Sequence, residues 1–528
     1  LASRRSLVGG ICLAMLGLRR VRAQSALAAA APAPPANPQA ARRDEVVAGR
    51  FSRLTLARWG DGLLAEAPAF NPNPLTLAQA STQFPYDAVI AGVIAPPPSE
   101  NGIARLVMVL ADPAAPARMV FPGGVDRPAV AGKLQGASVV NLQYVNGRWN
   151  VVSGGYQARR LADGTLCQIS GPAAAAIGAS VQGVLAPQGG CATPWGSVLL
   201  AEGDAGPWLS RLAGTDYGYD DPTNAPKFGW VVEFDPLDPV AIPVKRTALG
   251  RFAKSAVVAG QSADGRAVVF FSQDDPAGMV FRFISAGQAA DAGALDAGTL
   301  AVARIDGSDV SWVDLPGDSA SLIGVLGVAA QAGGSAFDAP GGMALGPGGV
   351  LYLACGGNQA RTEANGLNPR AGDDNGHVIV LGADGGDLTA RRFTGDLAIV
   401  AGNPATATLT QYTAGSDGWL RKPRRLGLDG LGQLWIGTDQ GGDTGETADG
   451  LFIMQTGGPS KYLISTAYLA PVGAAMGGAA FDAASRTAFA VVRHPGATPQ
   501  ASFAQPATRW PSLLPSLPPQ TTVIMLVG

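Results

Sequence analysis

Four stretches of the chain repeat one arrangement of apolar and polar positions: a Gly or Asp turn, a run of β-branched and aromatic residues, then a polar cluster. They are ADGRAVVFFSQDD (263–275), GPGGVLYLACGGN (346–358), GLGQLWIGTDQGG (430–442) and, more weakly, AASRTAFAVVRHP (483–495). Strong β-formers between turn residues read as the inner or second strand of a sheet. A unit of this kind recurs in a β-propeller, where each small sheet buries its faces only against its neighbours. The predicted fold class is therefore all-β, a β-propeller of about six blades with insertions; a β-sandwich is the alternative. The first two intervals, about 80 residues each, exceed the ~40–45 residues of one blade and read as two blades apiece. The polar strand ends are expected to gather at one mouth of the channel.

The N-terminal pattern is different. Ser3-Arg4-Arg5-Ser6-Leu7 precedes an apolar run to Leu18 that is too short to span a bilayer. With Arg19, Arg20 and Arg22 behind it and small residues at Ala23, Ala26 and Ala28, it reads as a twin-arginine export signal over 1–28. A Pro/Ala-rich linker over 29–44 cannot pack a core. The folded propeller is expected over 45–528. No later segment has 18 uninterrupted apolar residues, so the expected location is the periplasm or the exterior, and the expected partners include the export machinery but no membrane span.

Composition narrows the chemistry. The chain has 528 residues, with 72 Gly, 40 Pro and only 15% charged residues, a turn-rich mixture poor in long-helix formers. Its 38 basic and 40 acidic residues leave a formal net charge of −2, which offers no field to nucleic acid. Cys12, Cys167, Cys191 and Cys355 show no CxxC spacing, so a disulfide framework is not expected. With His377 and His494 the only two histidines, a His-rich zinc site is excluded, and any metal must be held mainly by oxygen, as suits calcium.

Several segments, in order, resemble the PhoX-type alkaline phosphatases. They are GRWNVV (147–152), SGPAA (170–174), TPWG (193–196), GWVVEFDPLDPVAIPVKRTALGRF (229–252), DDPAGMVFRFIS (274–285), GTLAVARIDG (298–307), NPRAGDDNGHVIVL (368–381) and LWIGTD (434–439). The resemblance implies an exported propeller that hydrolyses phosphate monoesters. It further implies a cluster of calcium and ferric ions held by carboxylates and one cysteine, in which the cations neutralise the phosphoryl oxygens.

This chain departs from that pattern at the ligands. The family's cysteine, five residues before the Thr of TPWG, is Gln188 here, and Cys191 falls on a family glycine, so it reads as a small packing residue. The acidic pair after TPWG becomes Glu202-Gly203, the His-Glu after LGRF becomes Lys254-Ser255, and Arg-Pro-Glu becomes Ala339-Pro340-Gly341. Gln188, Gly203, Ser255 and Gly341 thus stand where the resemblance implies a thiolate and three carboxylates. An iron pair lacks its ligands, since anionic donors offset the repulsion within such a cluster. The remaining oxygen donors, Glu202, Asp274, Asp275, Asn358 and Asp439, suit a single calcium, though Asp and Asn are also ordinary turn residues. Lys254 and Arg282 are candidate contacts for a phosphate ester or another anion if they face the channel. The one dense basic run, RKPRRLG (421–427), reads as a solvated loop, with a basic patch at the propeller mouth for phosphate or an acidic polymer as the alternative. Besides a phosphatase of doubtful competence, the sequence allows a non-catalytic binding propeller or a calcium-dependent, lactonase-like hydrolase.

Overall fold

The strand Arg266–Gln273, RAVVFFSQ, is apolar from Ala267 to Phe271 because both of its faces are buried there. Ala267, Val269 and Phe271 pack to one side against Leu199 and Val231, while Val268 and Phe270 pack to the other against Leu351 and Leu353. It is sandwiched between two neighbouring sheets. The computed structural model describes residues 39–443, 445–482, 484 and 486–528; the segment read as an export signal and most of the one read as a linker lie outside them.

The strands form five sheets that divide into six antiparallel blades, because one nine-stranded sheet joins blades III and IV where Asp309–Asp314 pairs with Arg392–Val400. Blade I holds Val89–Ile94, Arg105–Asp112, Gly136–Val145 and Arg148–Val151. Blade II holds Pro187–Ala192, Val198–Glu202, Val231–Phe234 and Val244–Arg246. Blade III holds Lys254–Gln261, Arg266–Gln273, Val280–Gln288 and Gly298–Asp306, and blade IV holds Pro340–Gly346, Val350–Cys355, His377–Ala383 and Arg392–Val400. Blade V runs from Pro423–Leu428 through Leu434–Thr438 and Gly450–Met454 to Ile464–Leu469. Blade VI is a composite: Ala475–Asp482, Thr487–Arg493 and Thr522–Val527 are completed by the N-terminal strand Ser52–Arg58, which pairs with Thr522–Val527. The first-named strand of each blade lies innermost, and these six strands abut in a closed ring around a central channel.

Six hydrophobic clusters fill the six blade junctions, one each. The four repeated stretches of the sequence are the second strands of blades III, IV, V and VI. Each interval of about 80 residues therefore spans one blade, not two. Insertions account for the extra length: the strand Asp309–Asp314 and the helices Ser319–Ile323 and Val325–Gln331 precede blade IV, and long loops occupy 356–376 and 401–422. No helix among the described residues is long and apolar enough to cross a membrane.

Candidate functional site

Every inner strand of the ring carries a β-bulge close to its N-terminal end. The irregularity falls at Ala91 in blade I, Gln188 in blade II, Ser255 in blade III, Gly341–Gly342 in blade IV, Arg424 in blade V and Gly477–Gly478 in blade VI. A bulge inserts an unpaired residue, bends the strand and re-aims side chains, which is why bulges gather beside active sites. Gln188, Ser255 and Gly341, three of the four positions read from the sequence as substituted ligands, are bulge residues. Of the six bulges, only the one in blade V carries a charge, Arg424.

Because Arg424 is the inserted residue, Arg424 and Arg425 escape the strand alternation that would send neighbours to opposite faces. Arg424 Nη2 lies 2.5 Å from Asp274 Oδ1, which also accepts a hydrogen bond from Ser255 Oγ at 3.0 Å. Burial would raise the Asp274 carboxyl, but Arg424 and Ser255 outweigh it and hold the group below the usual range. Arg425 crosses the channel. Its Nη1 donates to the carbonyl of Ser255 in blade III at 3.0 Å, and it lies 3.5 Å from where a Cβ on Gly189 of blade II would stand, directly across the ring. Arg425 is only 5% exposed. Burial, then the nearby Arg493 and Arg424, pull its pKa down to about 9.

A second ion-pair group borders the same end. Arg493 Nε and Nη2 grip both oxygens of the buried Asp87 at 2.8 and 2.9 Å, and Nη1 reaches Asp439 Oδ2 at 3.1 Å. Burial pushes the Asp439 carboxyl up, but Arg493 and His494 more than offset this. Behind it, Asp449 accepts from Thr438 Oγ1 at 2.6 Å and from the Gln440 amide at 3.1 Å, and burial beside Asp439 raises its pKa to about 7. The basic run 421–427 is thus not a solvated loop: Arg421 pairs with Asp374 at 2.8 Å, Lys422 with Asp374 at 2.9 Å, and both Arg424 and Arg425 turn to the channel end.

The other residues singled out in the sequence lie apart from this group. Glu202 is fully buried and bound by Lys245 Nζ at 2.7 Å and by the amides of Leu185, Gly229 and Trp230. Asp275 caps the turn amide of Ala277, and Asn358 does the same for Ala360. Lys254 Nζ spends its three donors on the carbonyls of Gly229, Gly250 and Phe252, and burial drives its pKa well down. Arg282 donates to the carbonyls of Leu388 and Ala390 and stacks over Trp312. Of the five oxygen donors, Asp274 and Asp439 share the channel end. Cys191 sits three residues beyond the blade II bulge, packs into the junction of blades II and III, and has its thiol pushed up to about 12 by burial.

One cluster escaped the sequence reading. Asp338, Asp373 and His377 are buried with one ligand atom of each within 4.8 Å of the others, a set that could hold a metal ion. Asp338 also meets Arg361, and Asp373 meets Arg370 at 2.8 Å. Burial raises Asp373, yet His377, the Asn375 amide and Arg370 bring it to about 2. The i, i+4 spacing of Asp373 and His377 inside GDDNGH was a visible signal; the approach of Asp338, 35 residues earlier, was not.

Beyond Arg425 the channel changes character. A cavity of about 480 Å³ opens there, lined by Ile90, Val93, Val257, Met343, Leu426 and Phe481 among others.

The family described as "Alkaline phosphatase PhoX" matches residues 35–496. Among solved structures, the PhoX of Pseudomonas fluorescens in complex with vanadate, a transition state analogue, is similar at a TM-score of 0.81 and 26% identity, over 93% of this chain and 97% of that one. A gluconolactonase of Xanthomonas campestris covers 94% of this chain and 98% of its own, at 11% identity and a TM-score of 0.35. The calcium structure of a Trichoderma reesei carbohydrate-active enzyme of family AA12 covers 93% and 99%, at 10% identity and a TM-score of 0.37. No curated protein sequence matches the chain.

Proposed function

Because the chain belongs to the PhoX alkaline phosphatase family, we propose that it is an exported propeller that keeps the family's channel end for recognising phosphate esters but does not assemble the family's metal cluster. Function follows the site rather than the fold, and the site here has different donors. The observation that carries this reading is that two of these positions, Gly341 and Gly203, leave no room for a carboxylate side chain. A Cβ on Gly341 would lie 2.8 Å from the carbonyl oxygen of Arg424 and 3.1 Å from its Cδ. One on Gly203 would lie 2.8 Å from both the Ala186 carbonyl oxygen and Gln188 Cγ. Ser255 and Gln188 spend their polar atoms on Asp274 and Ala186.

The residues of the bulge ring do not fit a cluster of multivalent cations. Asp274 and Asp439, the oxygen donors nearest the channel, each already carry an arginine. Arg425 adds a third guanidinium with no carboxylate beside it, and fixed positive charge repels further cations. A lone calcium at Asp274 or Asp439 would have to displace Arg424 or Arg493. No catalytic step is therefore derived through a metal.

The test is steady-state turnover of an aryl phosphate with calcium and ferric iron supplied, beside the Pseudomonas fluorescens PhoX. The expected rate is lower by more than about a hundredfold, equivalent to ~2.7 kcal/mol of lost transition-state stabilisation. Turnover closer than that would sink the reading.

A further inference from the structure

We propose that the polar end of the channel binds a phosphate dianion, free or as a monoester, directly on Arg424 and Arg425, with guanidinium groups standing where the family's resemblance implies metal ions. The inference rests on the reading that the metal cluster is not assembled, and deepens it by naming the residues that hold the phosphate without metal.

Three observations carry it. First, Arg425 is a buried cation with no ion-pair partner in contact: among the described residues it hydrogen-bonds only to the Ser255 carbonyl, and its buried Nε has no partner. A buried unpaired charge is costly, and an anion supplied from outside removes that cost. The field around it is also under-compensated, since Arg493 and Arg424 act on it more strongly than Asp439 and Asp274.

Second, the blade V bulge delivers two consecutive guanidinium groups to one place, which a regular strand cannot do. Two planar forks suit the several oxygens of a tetrahedral oxyanion better than the two of a carboxylate. Third, the group that now occupies Arg424 is exchangeable. Asp274 is held by Arg424 and by the Ser255 hydroxyl, and its side chain is 31% exposed, as is 20% of the Arg424 side chain. A phosphate entering from solvent can take Arg424 from Asp274 and accept the Ser255 hydroxyl. Asp87, Asp274 and Asp439 around the same arginines exclude a long polyanion such as nucleic acid, leaving a small dianion.

The test is titration calorimetry of the full folded protein with inorganic phosphate at neutral pH, after EDTA treatment and without added metal. Binding is expected and should be unchanged by added calcium, with phenyl phosphate comparable and sulfate and acetate weaker. Arg424→Gln should weaken phosphate binding at least tenfold, and Arg425→Met, which keeps the volume, should abolish it. Asp274→Asn should tighten it several-fold by removing the competitor, an effect that a purely structural ion pair would not produce. Absence of binding in EDTA, binding restored only by metal, affinity in both arginine variants equal to that of the parent, or a preference for sulfate would each overturn the proposal. If Arg425→Met does not fold, the partly exposed Arg424 and Asp274 variants decide it. Release of phosphate from an aryl ester would count against the proposed function alone, because the binding measurement involves no turnover.

Discussion

The two ends of the channel are built from the same six strands, yet one carries a lattice of charges and the other none. At one end Arg424, Arg425 and Arg493 alternate with Asp87, Asp274 and Asp439; at the other, Ile90, Val257, Met343 and Phe481 border a cavity lined by no charged side chain. The change takes place within a few residues of each strand, on either side of the bulges, with Arg425 lying across the boundary. The bulges add one charge, Arg424, and the other charged groups come from the strand ends beside them, whereas the regular ladder carries uncharged side chains. The lesson is that backbone register, as much as residue type, sets the chemistry of a propeller channel.

The comparison can be broken most severely at Asp87. Asp87→Asn leaves Arg493 buried without its two-oxygen partner and is expected to cost about 3–5 kcal/mol in urea unfolding, as loss of one member of a buried pair does. A loss below ~1 kcal/mol would mean that the polar end is not held by that pair. Asp449 offers a pH lever. Its folded pKa of about 7 lies above the ordinary carboxylate value of 3.8. It therefore stabilises fully below about pH 4, and that contribution, on the order of a few kcal/mol, is lost as the pH rises toward 7. Asp449→Asn keeps the acceptor for Thr438 and should flatten the stability profile between those limits; an unaltered slope would refute it.

Arg425→Met sharpens the contrast between charges of the same cluster. Removing an uncompensated buried cation should leave stability within about 1 kcal/mol of the parent or raise it, opposite in outcome to Asp87→Asn. Least is expected of Cys191→Ser at the uncharged end: under ~1 kcal/mol in stability, with no change in metal content. Loss of bound metal on that substitution would give Cys191 a role its packing does not suggest.

The sequence made the strand plan legible because a propeller's second strands are apolar on both faces and end in turns, as VLYLAC and LWIGT do. It misled on spacing, since insertions such as Asp309–Asp314 and the loop 356–376 lengthen a blade without altering its core. At the channel end it located Gln188, Ser255 and Gly341 as unusual but could not see that they share one level of the ring. That level is created by an unpaired residue in each ladder, a property of pairing rather than of composition. For the same reason RKPRRLG looked like a solvated loop, and Asp338 could not be matched with Asp373 and His377, because contacts between blade ends leave no periodicity to read.

The six junction clusters have a thermodynamic consequence. No blade owns a core: Val268 and Phe270 belong to one junction and Val269 and Phe271 to the next, so a blade that opens alone strips two neighbours at once. In a linear array the terminal repeats have one neighbour and fray first. Here the pairing of Ser52–Arg58 with Thr522–Val527 removes both ends, giving every blade two neighbours. The propeller should therefore melt as one cooperative unit, and the bulge ring at its axis inherits the rigidity of the whole circle rather than that of any single sheet.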